Sequence, residues 1–168
     1  MSDLKPNYKS RLFLDLFQPG ETILIVGMFF AGTGVAHYLG GNIDWLQSII
    51  AVFAFIFMLW ARNFLLAFWD HPQSPICILK PSHPRYQALS GVKRNSLLTY
   101  ALLCLTGATI STVFILGNRA TDLPLALLIV IVFLLLFLAS MPPFHLQRKG
   151  YGEIIETFCI TILIPAAA

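Results

Sequence analysis

The residues able to do chemistry gather at two places, and one of them is the end of an apolar stretch. Arg62 and Asn63 interrupt the run that begins near Trp45, and Asp70 closes it. Asn63, Ala67 and Asp70 stand at i, i+4 and i+7, so a helix places them on one face with Arg62 beside it. An Arg inside an apolar helix is expensive. It either faces protein or a water-filled cavity, or snorkels to lipid headgroups from near a helix end. Asp70, followed by His71-Pro72, reads as a carboxylate at the boundary of that stretch.

The second place is Pro142-Pro-Phe-His-Leu-Gln-Arg-Lys-Gly-Tyr-Gly-Glu153. Two prolines end a helix. Arg148 and Lys149 follow, then a Gly-Tyr-Gly turn, and Glu153 opens the next helix, where a carboxylate suits the macrodipole. The segment reads either as a helix hairpin with a basic anchor or as a loop that pairs Arg148 and Lys149 with an anionic group. Cys77, Cys104 and Cys159 are scattered, odd in number and without His at ligand spacing. They form neither a disulfide framework nor a zinc site.

The elements that position these groups follow from composition. Of 168 residues, 57% are hydrophobic and 11% charged, with a mean hydropathy of +0.76. Soluble domains carry about 25% charged residues, so a soluble enzyme and a disordered chain are both excluded. The formal net charge of +3 is too small to point to nucleic acid. An all-α, polytopic transmembrane helical bundle remains.

A bilayer crossing needs about 20 apolar residues. The expected spans are 22–39, 45–69, 97–116 and 123–141, four full crossings, with the start of a fifth at 154–168. His37 and Arg62 are the ionisable groups within the four full spans. With no repeated half, that is too few for an ion or proton path. Residues 1–21 form an interfacial segment and 22–168 the membrane domain. In Tyr8–Phe17, the apolar Leu12, Phe13, Leu16 and Phe17 at helical spacing suit a helix in the interface plane, and Pro19-Gly20 would turn the chain into the membrane. A basic arm precedes the first span without a small-residue cleavage site, so the span reads as retained.

Lys5, Lys9 and Arg11 precede the first span. Lys80, Arg85, Lys93 and Arg94 lie between the second and third, and Arg148 and Lys149 between the fourth and fifth. The loop after the first span has no basic residue and the loop after the third has only Arg119. The positive-inside rule then places the N-terminus and the second and fourth loops in the cytoplasm. The proline-rich loop 70–95 is either a linker or a cap over the helix ends.

The fourth-loop pattern Pro-Pro-x-x-Leu-x-Arg-Lys-Gly-Tyr-Gly-Glu resembles the loop before the fifth helix of UbiA-type membrane prenyltransferases. Gln18-Pro19 stands where that family often has Arg-Pro, and His83-Pro84 through Ser90-Gly91 is similar to its Arg-Pro…Ser-Gly. The resemblance spans most of this chain, and about the first half of a full family member. It implies prenyl transfer from a polyprenyl diphosphate to an aromatic or tetrapyrrole acceptor. It also implies Mg²⁺ held by Asp-rich motifs, since a hard cation bridges carboxylate and phosphate oxygens and neutralises the leaving group.

The first such motif reads Asn-Asp-x-x-Asp-x-x-x-Asp, and here the chain departs from it. In the best register Leu66, Ala67 and Ser74 replace the Asn and two of the Asp, leaving Asp70 as the one metal ligand the resemblance implies. Arg148, Lys149, Lys80 and Arg85 are the diphosphate-binding candidates, and no catalytic residue is assigned. Two functions compete: a prenyltransferase half, impaired as this chain alone, and a non-catalytic UbiA-like subunit of a larger membrane complex. The expected partners are membrane lipid, polyprenyl diphosphate or a quinone or pigment ligand, and such a complex. The expected location is a bacterial inner (cytoplasmic) membrane.

Overall fold

The computed structural model describes residues 14, 16–75, 77, 83–118, 123–140 and 151–166. Among the described residues every regular element is helical. Helix α1 is Pro19–Tyr38, α2 is Trp45–Trp69, α3 is the short Pro84–Ser90, α4 is Arg94–Asn118 and α5 is Leu123–Ser140. The last helix, α6, begins as Tyr151–Phe158, widens into a π-helical stretch Cys159–Leu163 and ends in an α turn Ile164–Ala166. Pro165 has no N–H to donate, and a wider turn ahead of it relaxes the ladder that the missing donor interrupts.

Three helices are long and apolar enough to cross a bilayer: Pro19–Tyr38, Trp45–Trp69 and Arg94–Gly117. They mark a membrane protein. Leu127–Leu138 and Ile154–Ala166 are shorter apolar helices. The expected span 45–69 coincides with α2. The first span begins earlier than expected, at Pro19, which brings Glu21 into α1. The break in the chain falls at Gln18, with φ 42°, and Pro19-Gly20 are already helical. The expected interfacial helix lies mostly outside the described residues. Its end at Leu16 and Phe17 is packed onto α2, with Leu16 2% exposed.

The ends of these helices follow local chemistry. The Asp44 side chain accepts from the N–H of Leu46 at 3.1 Å and of Gln47 at 3.3 Å, which caps α2. Beyond α1, Gly40 adopts φ 90° and donates to the His37 carbonyl, while Gly41 donates to the Ala36 carbonyl at 2.9 Å. That pair of bonds is a Schellman stop, which favours glycine at the left-handed position.

Helix α2 is the centre of the bundle. Its apolar window is 61% buried, against 17% in α1 and in α4. The α2–α4 interface is the most extensive, and α1 and α5 also pack on α2. One apolar cluster joins Ile25 and Phe29 of α1, Phe55 and Leu59 of α2, Val132 of α5 and Cys159 of α6. A second joins Leu16, Phe64, Ala67, Leu89, Leu97 and Ala101 at the C-terminal end of α2. Within lipid such contacts act through close packing rather than exclusion of water, so small residues matter. Gly32 of α1 lies so close to α6 that a Cβ there would overlap the Pro165 backbone carbonyl. The hydroxyls of Thr99, Thr106, Thr109, Ser111 and Thr112 all bond to carbonyls of α4 itself. They satisfy the helix locally and leave interhelical bonding to other groups.

The loop after α2 forms a cap. His71 is 2% exposed, and its Nε2 lies 2.9 Å from the Val92 carbonyl. The Gln73 N–H donates to Nδ1 at 3.2 Å, which assigns the proton to Nε2 and makes it the donor to Val92. Leu89 of α3 is fully buried in the apolar cluster at the C-terminal end of α2.

Candidate functional site

The buried polar groups form a band across α2 about 10 Å from its C-terminal end, taking 1.5 Å per residue. Arg62 is 1% exposed, so it faces protein and does not snorkel. Its Nη2 donates to Glu156 Oε2 at 2.7 Å, and Nη1 stands 2.6 Å from Oε1. The first contact is a charge-assisted hydrogen bond; the second is a close ionic contact whose alignment does not make it a hydrogen bond. The carboxyl of Glu21 on α1 faces both partners, and its buried Oε2 has no hydrogen-bond partner among the described residues. One cation and two carboxyl groups, from α2, α6 and α1, thus meet in the bundle interior.

Asn63, the next residue, serves the chain break at Gln18. The left-handed turn there frees the carbonyls of Leu16 and Phe17 from helical bonding, and buried carbonyls need partners. Asn63 Nδ2 donates to the Leu16 carbonyl at 3.1 Å and to Gln18 Oε1 at 2.7 Å. Trp60 Nε1 donates to the Phe17 carbonyl at 3.0 Å, and Thr22 Oγ1 reaches the same oxygen at 3.1 Å. Phe17 stacks edge-on against Trp60, with centroids 4.8 Å apart. One turn of α2 therefore fastens the start of the chain through Trp60 and Asn63, and the last helix through Arg62.

The other expected site residues fall elsewhere. Asp70 is the C-cap of α2, and its backbone carbonyl accepts from Cys77 Sγ at 3.2 Å. Ala67 is 0% exposed and Ser74 7%. Arg85 is exposed on α3. Lys80, Arg148 and Lys149 lie outside the described residues. The structure brings Arg62 and Asn63 together with residues 16–21. Glu21, Glu156 and Trp60 are members of this buried polar band that the sequence reading missed. The available signal was a second charge, Glu156, set in an apolar run as Arg62 is.

Among the described residues no group of three or more His, Cys, Asp or Glu is placed to hold a metal ion. Of the positions that the resemblance assigns to Mg²⁺, only Asp70 carries a carboxylate. Ala67, at one of the expected ligand positions, is enclosed by apolar side chains, and Asp70 terminates a helix. The Arg62–Glu156 pair and the facing carboxyl of Glu21 bring three helices together. No family model matches the sequence, and no curated protein and no solved structure matches it.

Proposed function

We propose that this chain is a non-catalytic, UbiA-like structural unit of a larger membrane assembly. Its four crossings leave the N-terminus and the basic second and fourth loops in the cytoplasm of a bacterial inner membrane. The observation that carries the reading is the seat of Ala67. The resemblance calls for a metal-binding carboxylate there, yet the residue is fully buried in a cluster with Leu89, Leu97 and Ala101. A carboxylate in that seat would be an unpaired buried charge. The polar band one turn away binds helices to each other and leaves the outer faces of α4 and α5 apolar, with Leu103, Ile110, Val113 and Leu127 exposed. Those faces suit lipid, a quinone or pigment tail, or partner helices.

The test is a prenyl-transfer assay on the purified native chain, supplied with polyprenyl diphosphate, Mg²⁺ and an aromatic acceptor. No transfer is expected, either from the native chain or from the variant carrying Ala67→Asp and Ser74→Asp. Deleting the chain from its host should lower the mass of a membrane complex on native gels. Transfer by the native chain would overturn the reading.

A further inference from the structure

Between the end of α2, the short α3 and the start of α4 lies an open cavity of about 370 Å³. That is within the range of small-molecule sites. Its polar walls come from His71, Gln73, Ser90, Lys93, Arg94 and Asn95, with no acidic side chain among the described residues that line it. Two cations adjoin the first turn of a 25-residue helix, whose N-terminus adds the positive end of its dipole.

The cations are held differently. Lys93 is exposed. Arg94 lies with its guanidinium carbon 4.2 Å from the centre of the Phe68 ring, so a cation–π contact fixes its plane. Its Nε is buried and has no acceptor among the described residues, although a buried donor normally has one. His71 supplies shape: both its ring nitrogens are engaged by the Val92 carbonyl and the Gln73 N–H. The apolar run of α4 begins at Leu97, within one turn of the cavity. A charged group seated here sits where the helix enters the apolar layer.

We propose that this cavity is a phosphate-binding site that takes the phosphate of an anionic lipid headgroup or a free phosphate ion. Phosphate oxygens accept from a fixed guanidinium, an ammonium and a helix N-terminus together, and the cavity offers all three. The proposal does not depend on whether the chain is catalytic.

The full chain, purified in detergent, is titrated with phosphatidylglycerol and with phosphatidylcholine, and the retained lipid is counted by native mass spectrometry. Phosphatidylglycerol should be retained in preference. The double variant Lys93→Gln/Arg94→Gln should weaken that retention roughly tenfold or more, the effect expected for losing charge-assisted hydrogen bonds. Gln87→Ala, exposed on α3 and outside the cavity lining, should leave it unchanged. If the double variant does not fold, Lys93→Gln alone removes an exposed charge and should weaken retention severalfold. Inorganic phosphate added in excess separates the two sources. Phosphate bound by the wild type and lost in the variant identifies a free-anion site, whereas lipid retained against it identifies a headgroup site. Equal retention of the two lipids with no phosphate binding would overturn the proposal, as would variants that bind like the wild type.

Discussion

Arg62 and Glu156 are 94 residues apart in the chain and meet in a hydrogen-bonded ion pair in the bundle interior. Each is costly alone in an apolar helix. Paired, they make the position of α6 against α2 depend on one contact. Glu21 brings α1 to the same point, so the three helices converge on a single guanidinium.

Removing the guanidinium should therefore cost more than removing its main partner. Arg62→Met leaves two carboxyl groups facing each other without a cation, and breaking a buried pair costs about 3–5 kcal/mol. Glu156→Gln leaves Arg62 with Glu21 and a neutral acceptor, so it should cost less. The double variant Arg62→Met/Glu156→Leu should recover part of the loss. Denaturant titration in one detergent measures all three. A double variant that shows the full sum of the single losses would mean that the two residues act independently.

Much of the architecture is legible in the sequence, and the polar band is not, for a physical reason. The bounds 45–69 of α2 could be read because the run is uniformly apolar and ends at Trp69-Asp70-His71-Pro72. The faces of α1, α4 and α5 could not be read, because apolar residues surround those helices and give periodicity nothing to detect. Arg62 was visible as an anomaly, but its partner Glu156 sits in a run read as an incomplete span. Glu21 was placed ahead of the first span because Pro19-Gly20 read as a turn. The left-handed residue is Gln18, a choice no local propensity favours. It holds because Asn63 and Trp60 supply the bonds the break requires, and those bonds join residues 43 to 47 positions apart.

That dependence can be tested at Asn63. Asn63→Leu preserves size but removes the donor to the Leu16 carbonyl and Gln18 Oε1, leaving a buried acceptor unpaired at a cost of about 1–3 kcal/mol. Trp60→Phe removes one neutral bond, to the Phe17 carbonyl, and should cost about 1 kcal/mol plus the packing of the lost ring. Both variants should raise amide exchange in residues 16–22 before they affect α4. Uniform acceleration across the whole bundle would instead mean that this band supports the global fold.

Two glycines on α1 give a paired test of close packing. Gly32→Ala places a Cβ on the Pro165 carbonyl, and overpacking costs about 1–3 kcal/mol. Gly34→Ala meets nothing within 4 Å, and the better helix former should contribute up to about 1 kcal/mol. The two substitutions should move the thermal midpoint in opposite directions in the same detergent. Equal shifts would mean that α1 does not press on the last turn of α6.

The cap over α2 depends on one imidazole. His71 is the buried side chain whose two nitrogens tie the end of α2 to residues on both sides of the turn, at Gln73 and at Val92. His71→Ala removes both bonds and leaves the Val92 carbonyl without its imidazole donor, at about 1–3 kcal/mol. The loss should be local, because Leu89 and Leu97 still pack on Ala67 and Phe64. His83→Ala, by comparison, removes only the cap on Arg85 at the start of α3, where losses run about 0.5–2 kcal/mol. Both variants should speed tryptic cleavage at the exposed Arg85 while sparing α2 and α4. Only His71→Ala should also raise amide exchange at Gln73, since that N–H donates to the imidazole itself. If cleavage at Arg85 rises with His83→Ala and not with His71→Ala, α3 is held by its own cap and by Leu89. The histidine would then be a passenger of the turn and not its fastener.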